Sequence, residues 1–174
     1  MANTSYLRYI VEPWIRERLT ERYGQSFTAR QLPLVPGGRH EFDAVSADRR
    51  IVVSIKANSG LTSGRNYPTG KVATCLNEVY FLTLVAAEER LLILTNRAFH
   101  EVFTRATRGQ IANGIEVELV ELPADMQQKV DAITRRASEE MGRERAAAAS
   151  EVEAEEAGER GDAELTRDFG PRPA

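Results

Sequence analysis

The chain reads as an α/β domain, a mixed β-sheet flanked by helices, on three observations. Apolar side chains recur at steps of three and four in the N-terminal segment, in the stretch after residue 96 and again from residue 126, which is helical spacing. Between these stretches stand short runs rich in Val, Ile and Leu, closed by Gly, Pro, Asp and Ser. Some of the runs alternate apolar with polar and others are apolar throughout, so some strands have a wet face and others are buried on both sides.

Leu7, Ile10, Val11, Trp14, Ile15 and Leu19 form the stripe of the first helix, with Asn3 or Thr4 to cap it, Pro13 to kink or restart it and Gly24 to stop it. The segment 27–35, FTARQLPLV, is a first strand closed by Pro36-Gly37-Gly38. HEFDAV (40–45) and IVVSIKA (51–57) are two clearer strands, and the short polar connection at 46–50 predicts a hairpin. After a loop rich in Gly and Ser at 58–70, KVATCLNE (71–78) has the pattern of a short helix, while VYFLTLV (79–85) and RLLILT (90–95) are continuous apolar runs and read as buried strands. Asn96 caps a helix along AFHEVFTRATR that ends near Gly109. IEVELVEL (115–122) alternates as a strand, and Pro123-Ala124-Asp125 opens a final helix carrying Met126, Val130 and Ile133.

Composition bounds the function. The 174 residues hold 23 Lys and Arg against 26 Asp and Glu, a net charge of -3. Residues 1–122 carry 15 basic against 13 acidic side chains and residues 123–174 carry 8 against 13, so the body is mildly basic and the acidity sits in the tail. We expect one domain over 1–142 and a disordered tail rich in Ala and Glu over 143–174. One cysteine, Cys75, and two histidines, His40 and His100, exclude an internal disulfide and a Cys/His zinc cage. No run is apolar for long enough to span a bilayer, and no basic leader precedes the first helix, so a cytoplasmic protein with no membrane partner is expected.

The chemistry concentrates on the hairpin. With a two-residue period, Glu41 and Asp43 share one face of their strand, while Val52, Ser54 and Lys56 share a face of the next. A lysine emerging from the run IVVSI is partly desolvated and needs an anionic partner or a role. The loop Gly64-Arg65-Asn66-Tyr67-Pro68-Thr69-Gly70-Lys71-Val72 is not a P-loop, because five residues separate its glycines and Val72 stands where a Ser or Thr hydroxyl would hold Mg2+. Its Arg65, Lys71 and glycine amides suit a nucleic-acid backbone instead, and Arg39 and His40 beside the hairpin could join them.

Gly37-Gly38-Arg39-His40-Glu41-Phe42-Asp43 followed by Ser54-Ile55-Lys56, in a helix, three strands, helix, strand order over about residues 4–95, resembles the PD-(D/E)xK, or restriction endonuclease-like, nuclease superfamily. The resemblance implies an αβββαβ core followed here by a C-terminal strand and helices, a metal-dependent endonuclease acting on DNA, and Mg2+ or Mn2+ as cofactor. It implies Asp43 as metal ligand, the Ile55 carbonyl as a further ligand and Lys56 acting on the attacking water. Ser54 departs from the pattern, standing where the family carries an acid. A recruited carboxylate would replace it, for which Glu78 ranks first, then Glu12 on the first helix, then Glu41. Both restriction-type and resolvase-type members suit a homodimer. A chain that kept the fold and lost the acid would be a noncatalytic nucleic-acid-binding or assembly module.

Overall fold

Pro13 has no amide hydrogen, so the turn ahead of it cannot close with ordinary helical bonds. In the computed structural model, which describes residues 5–57, 68–137, 139 and 143, that turn widens. Leu7–Val11 is π-helical, the Glu12 amide donating to the Leu7 carbonyl, and it runs directly into α1 (Glu12–Tyr23). Pro13 thus falls in the first turn of α1, where its missing donor costs nothing. Gly24 ends the helix at φ 67°, a left-handed conformation that favours glycine.

The strands are β1 (Phe27–Pro33), β2 (Arg39–Ser46), β3 (Ile51–Lys56), β4 (Glu89–Leu94) and β5 (Ile115–Leu119), which form one sheet in chain order. β1, β2 and β3 make an antiparallel meander, and β3, β4 and β5 run parallel. The two parallel connections pass through α2 (Thr69–Leu84) and α3 (Arg97–Ala106), both packed on the same face, as successive crossovers moving one way along a sheet require. The Asn96 side chain accepts the Phe99 amide at 3.0 Å and caps α3, as its sequence indicates.

One expected strand is helix. VYFLTLV belongs to α2, whose buried side chains Val72, Cys75, Val79 and Leu82 fall on one helical stripe while Tyr80 is exposed. A continuous apolar run fits a doubly buried strand or a buried helix, and here the seven-residue step from Cys75 to Leu82 carries one face two turns along the sheet. The region between residues 71 and 95 therefore contributes one strand, β4.

Two cores form, one on each face of the sheet. Phe42, Val45, Val52, Leu92 and Leu94 meet α2 and α3, while Ala44, Ile51, Val53, Ile55, Leu91 and Ile93 meet α1 and α4, a helix beginning at 124 whose Val130 is fully buried. Ile51, Val53 and Ile55 face away from Val52 and Ser54, as the two-residue period predicts. The chain divides between Arg135 and Arg136, and the first unit carries the whole sheet. Residues 58–67, with Arg65, and all of the acidic tail except Arg143 lie outside the described residues. Among the described residues no helix is long and apolar enough to cross a membrane.

Candidate active site at the ends of β2 and β3

The site begins with an irregularity in β2. Thr28 pairs with Val45 but Arg30 pairs with Phe42, so two steps along β1 face three along β2. The extra residue lies at Asp43 and Ala44, and it changes the phase of the strand: Phe42 enters one core and Ala44 the other, although they stand two apart. Glu41 and Asp43 nevertheless have different surroundings. Glu41 is exposed and meets Arg8 at 3.6 Å on the surface, whereas Asp43 turns to β3 and its Oδ2 accepts the Ile55 amide at 2.7 Å.

β3 delivers the rest of the motif. Ser54 is fully buried and Lys56 is the last residue of the strand, its carbonyl accepting the Thr95 amide at 3.3 Å. From α2, Glu78 reaches this strand end. Its Oε1 lies 2.8 Å from Lys56 Nζ, and its Oε2 accepts the Ser54 hydroxyl at 3.2 Å. His40 Nε2 stands 3.4 Å from the same Oε2, with its ring stacked on Phe81 at 3.9 Å and edge-on to Phe42. The Lys56 and Glu78 side chains are only 23% and 14% exposed, so the pair is screened by little water.

Electrostatics separate the groups. Burial pushes the Lys56 ammonium down, but the Glu78 hydrogen bond and the Asp43 charge outweigh it and hold its pKa above the ordinary lysine value. Burial likewise pushes Glu78 up, and Lys56 with His40 reverses this, leaving its carboxyl below the usual range. Asp43 is raised by burial, against which the Ile55 amide, Lys56 and Arg16 work, while the Glu78 charge adds to the rise. On α1, burial and then the Asp43 charge push Glu12 up to about 7, with Arg16 opposing. Arg16 Nη1 stands 3.6 Å from Glu12 and donates to the Asp43 carbonyl at 2.7 Å.

Asp43, Lys56, Ser54, Glu78 and His40 are thus brought together, with Glu12 close enough for its charge to feel Asp43. Glu41 is not part of the group. His40 faces Glu78 between two aromatic rings, and Arg39 is exposed at the start of β2, bonded through Nε to the Gln31 side chain at 3.0 Å. Lys71 is half-buried in the first turn of α2, where desolvation lowers its pKa. Arg16 carried no signal in the sequence reading beyond its place one turn after Glu12.

Among the described residues no group of three or more His, Cys, Asp and Glu side chains clusters as a ready cage. The donors nevertheless suit a hard cation. They are carboxylate oxygens, and burial holds Asp43 and Glu12 above their ordinary pKa values. Mg2+ is usually held by one or two carboxylates with waters and substrate phosphates completing its shell, so a full protein cage is not needed. Comparisons with family models, with curated proteins and with solved structures return no match to this chain.

Proposed function

We propose that the chain is a metal-dependent endonuclease of the PD-(D/E)xK kind that hydrolyses DNA phosphodiester bonds, its second acid supplied by α2. One observation carries this reading. Glu78 reaches both Lys56 and Ser54, so a carboxylate stands against the residue that replaced the family's acid. The antiparallel β1-β2-β3 meander joined through α2 to a parallel β4 supports it, being the strand arrangement expected of an αβββαβ core.

Asp43 and Glu78, with the Ile55 carbonyl, would hold Mg2+ or Mn2+, and Glu12 stands ready on the α1 side. When bound, such an ion lowers the pKa of its water and offsets charge at the scissile phosphate. Lys56 remains an ammonium at neutral pH, because its pKa is raised. It therefore donates hydrogen bonds to the attacking water or a phosphate oxygen and stabilises the charge that develops there, and it is not the general base. Arg39 and Lys71 lie on elements flanking the site and would bind the DNA backbone, together with Arg65.

The test is cleavage of supercoiled plasmid and of a branched DNA junction with Mg2+, with Mn2+ and with chelator. Nicking or cutting that needs metal is expected, and Asp43→Ala or Lys56→Ala should reduce it by about a thousandfold. Wild-type rates in either variant would overturn the assignment. A second reading has its own observation, the engagement of both Glu78 oxygens by Lys56, Ser54 and His40, which leaves that acid already neutralised. A protein that binds DNA with a steep salt dependence and cuts none with either metal is then a binding module.

A further inference from the structure

A bulge leaves a backbone group outside the ladder, and a buried carbonyl without a donor is costly. At the bulge in β2 the Asp43 carbonyl accepts a hydrogen bond from a side chain of another element, Arg16 of α1. The geometry points to Arg16 of α1 as a positioning residue that clamps the Asp43 peptide and thereby aims the Asp43 carboxylate. Its catalytic consequence rests on the nuclease reading above, whereas the clamp itself does not.

Two distances separate this role from an ordinary helix-surface ion pair. Arg16 Nη1 is 2.7 Å from the Asp43 carbonyl oxygen but 3.6 Å from the Glu12 carboxylate, so the carbonyl takes the hydrogen bond and Glu12 supplies charge one turn away. A guanidinium donating to a carbonyl makes a charge-assisted bond, and the Arg16 side chain is 17% exposed, so water competes weakly for it. Asp43 is held at both ends: the carbonyl by α1 and Oδ2 by the Ile55 amide of β3 at 2.7 Å. The residue after Ile55 is Lys56, which makes the same bond set the spacing between carboxylate and ammonium. Releasing the carbonyl frees the bulged stretch to shift, which would take the Asp43 carboxylate off Ile55.

The experiment compares full-length wild type with Arg16→Met, Arg16→Lys and Glu12→Gln, reading the Ile55 amide by NMR and cleavage kinetics in parallel. In the wild type the Ile55 amide proton, bonded to a carboxylate, should resonate downfield and exchange slowly. Arg16→Met should move it upfield and speed its exchange at least about tenfold while the Val52 amide keeps its protection. kcat should fall on the order of 100-fold with KM for DNA little changed, the cost of a small misplacement, and Arg16→Lys should recover part of both signals. An Ile55 resonance unchanged in Arg16→Met overturns the clamp, as does Glu12→Gln losing the Ile55 signal to the same extent, which would make Arg16 only the partner of Glu12. If Arg16→Met does not fold, Arg16→Gln, whose shorter side chain falls short of the carbonyl, carries the amide measurement, and a wild-type Ile55 signal there is equally fatal. A wild type that cuts no DNA removes the nuclease reading, and the Ile55 amide then decides the clamp by itself.

Discussion

The two sides of the Asp43 and Lys56 junction differ in how well their charges are balanced. On the α2 side, Glu78 meets Lys56, Ser54 and His40, its carboxyl is held low and the ammonium is held high, so each group stabilises its partner's ionised form. On the α1 side, Asp43 and Glu12 are both pushed up, chiefly by burial, which Arg16 and Lys56 oppose without reversing. The same strand ends thus carry one network in which ion pairing outweighs burial and one in which burial wins. Desolvation acts on both, and it is reversed where a carboxylate is directly hydrogen-bonded to an ammonium, as Glu78 is to Lys56.

The largest way to break this contrast is on the α2 side. Glu78→Ala leaves a mostly buried ammonium without its carboxylate, so the protein should lose about 3 kcal/mol by denaturant unfolding, and metal-dependent cleavage should fall by about a thousandfold. Adding Ser54→Glu to Glu78→Ala returns an acid to β3, in space that Glu78 vacates, and part of the activity should return. Full cleavage in Glu78→Ala alone would show that Glu78 is not the recruited acid and would move that role to Glu12.

On the α1 side the prediction is one of pH. The Glu12 carboxyl titrates at about 7 in the folded chain against 4.5 as the ordinary value. The folded state therefore holds a proton that the unfolded state has released between those values, and stability falls as pH rises through that window. Glu12→Gln removes the dependence, so its stability relative to wild type should improve by about 2 kcal/mol between pH 5 and pH 8. Parallel curves for the two proteins would show that Glu12 is not under this strain.

Metal should correct the same imbalance. Mg2+ or Mn2+ at a hundred times its Kd should raise unfolding free energy by about 2.7 kcal/mol. At one fixed metal concentration the gain should be larger at pH 8 than at pH 6, because ligands must lose their protons to bind. Asp43→Ala should abolish it, and an equal gain in that variant would move the metal elsewhere. The smallest effect belongs to Ser54→Ala, which removes one hydrogen bond to Glu78 and should cost about 1 kcal/mol with cleavage kept within a fewfold.

Much of this arrangement is legible before any coordinates. The step of Val11, Ile15 and Leu19 places α1 on the sheet, the polar connection at 46–50 makes β2 and β3 a hairpin, and the two-residue period puts Ser54 and Lys56 on one side of β3. These follow from local periodicity, which a chain carries whatever it packs against. The ranking of Glu78 ahead of Glu12 and Glu41 comes from the family resemblance, in which a serine in the Ser54 slot implies an acid recruited from the following helix. The structure brings Glu78 to that slot and leaves Glu41 on the surface with Arg8.

Other features were decided only by tertiary structure. VYFLTLV is apolar enough for a strand or a helix, and the choice fell to helix because α2 must lay Cys75, Val79 and Leu82 along the sheet to close its core. The extra residue at Asp43 has no signature in HEFDAV, since a bulge is a property of two strands in register. What keeps it, the Arg16 bond to one end of Asp43 and the Ile55 amide at the other, joins residues 27 and 12 positions apart. A sequence states which groups can donate and accept, but long-range pairing sets which of them meet, and the aim of the Asp43 carboxylate depends on that meeting.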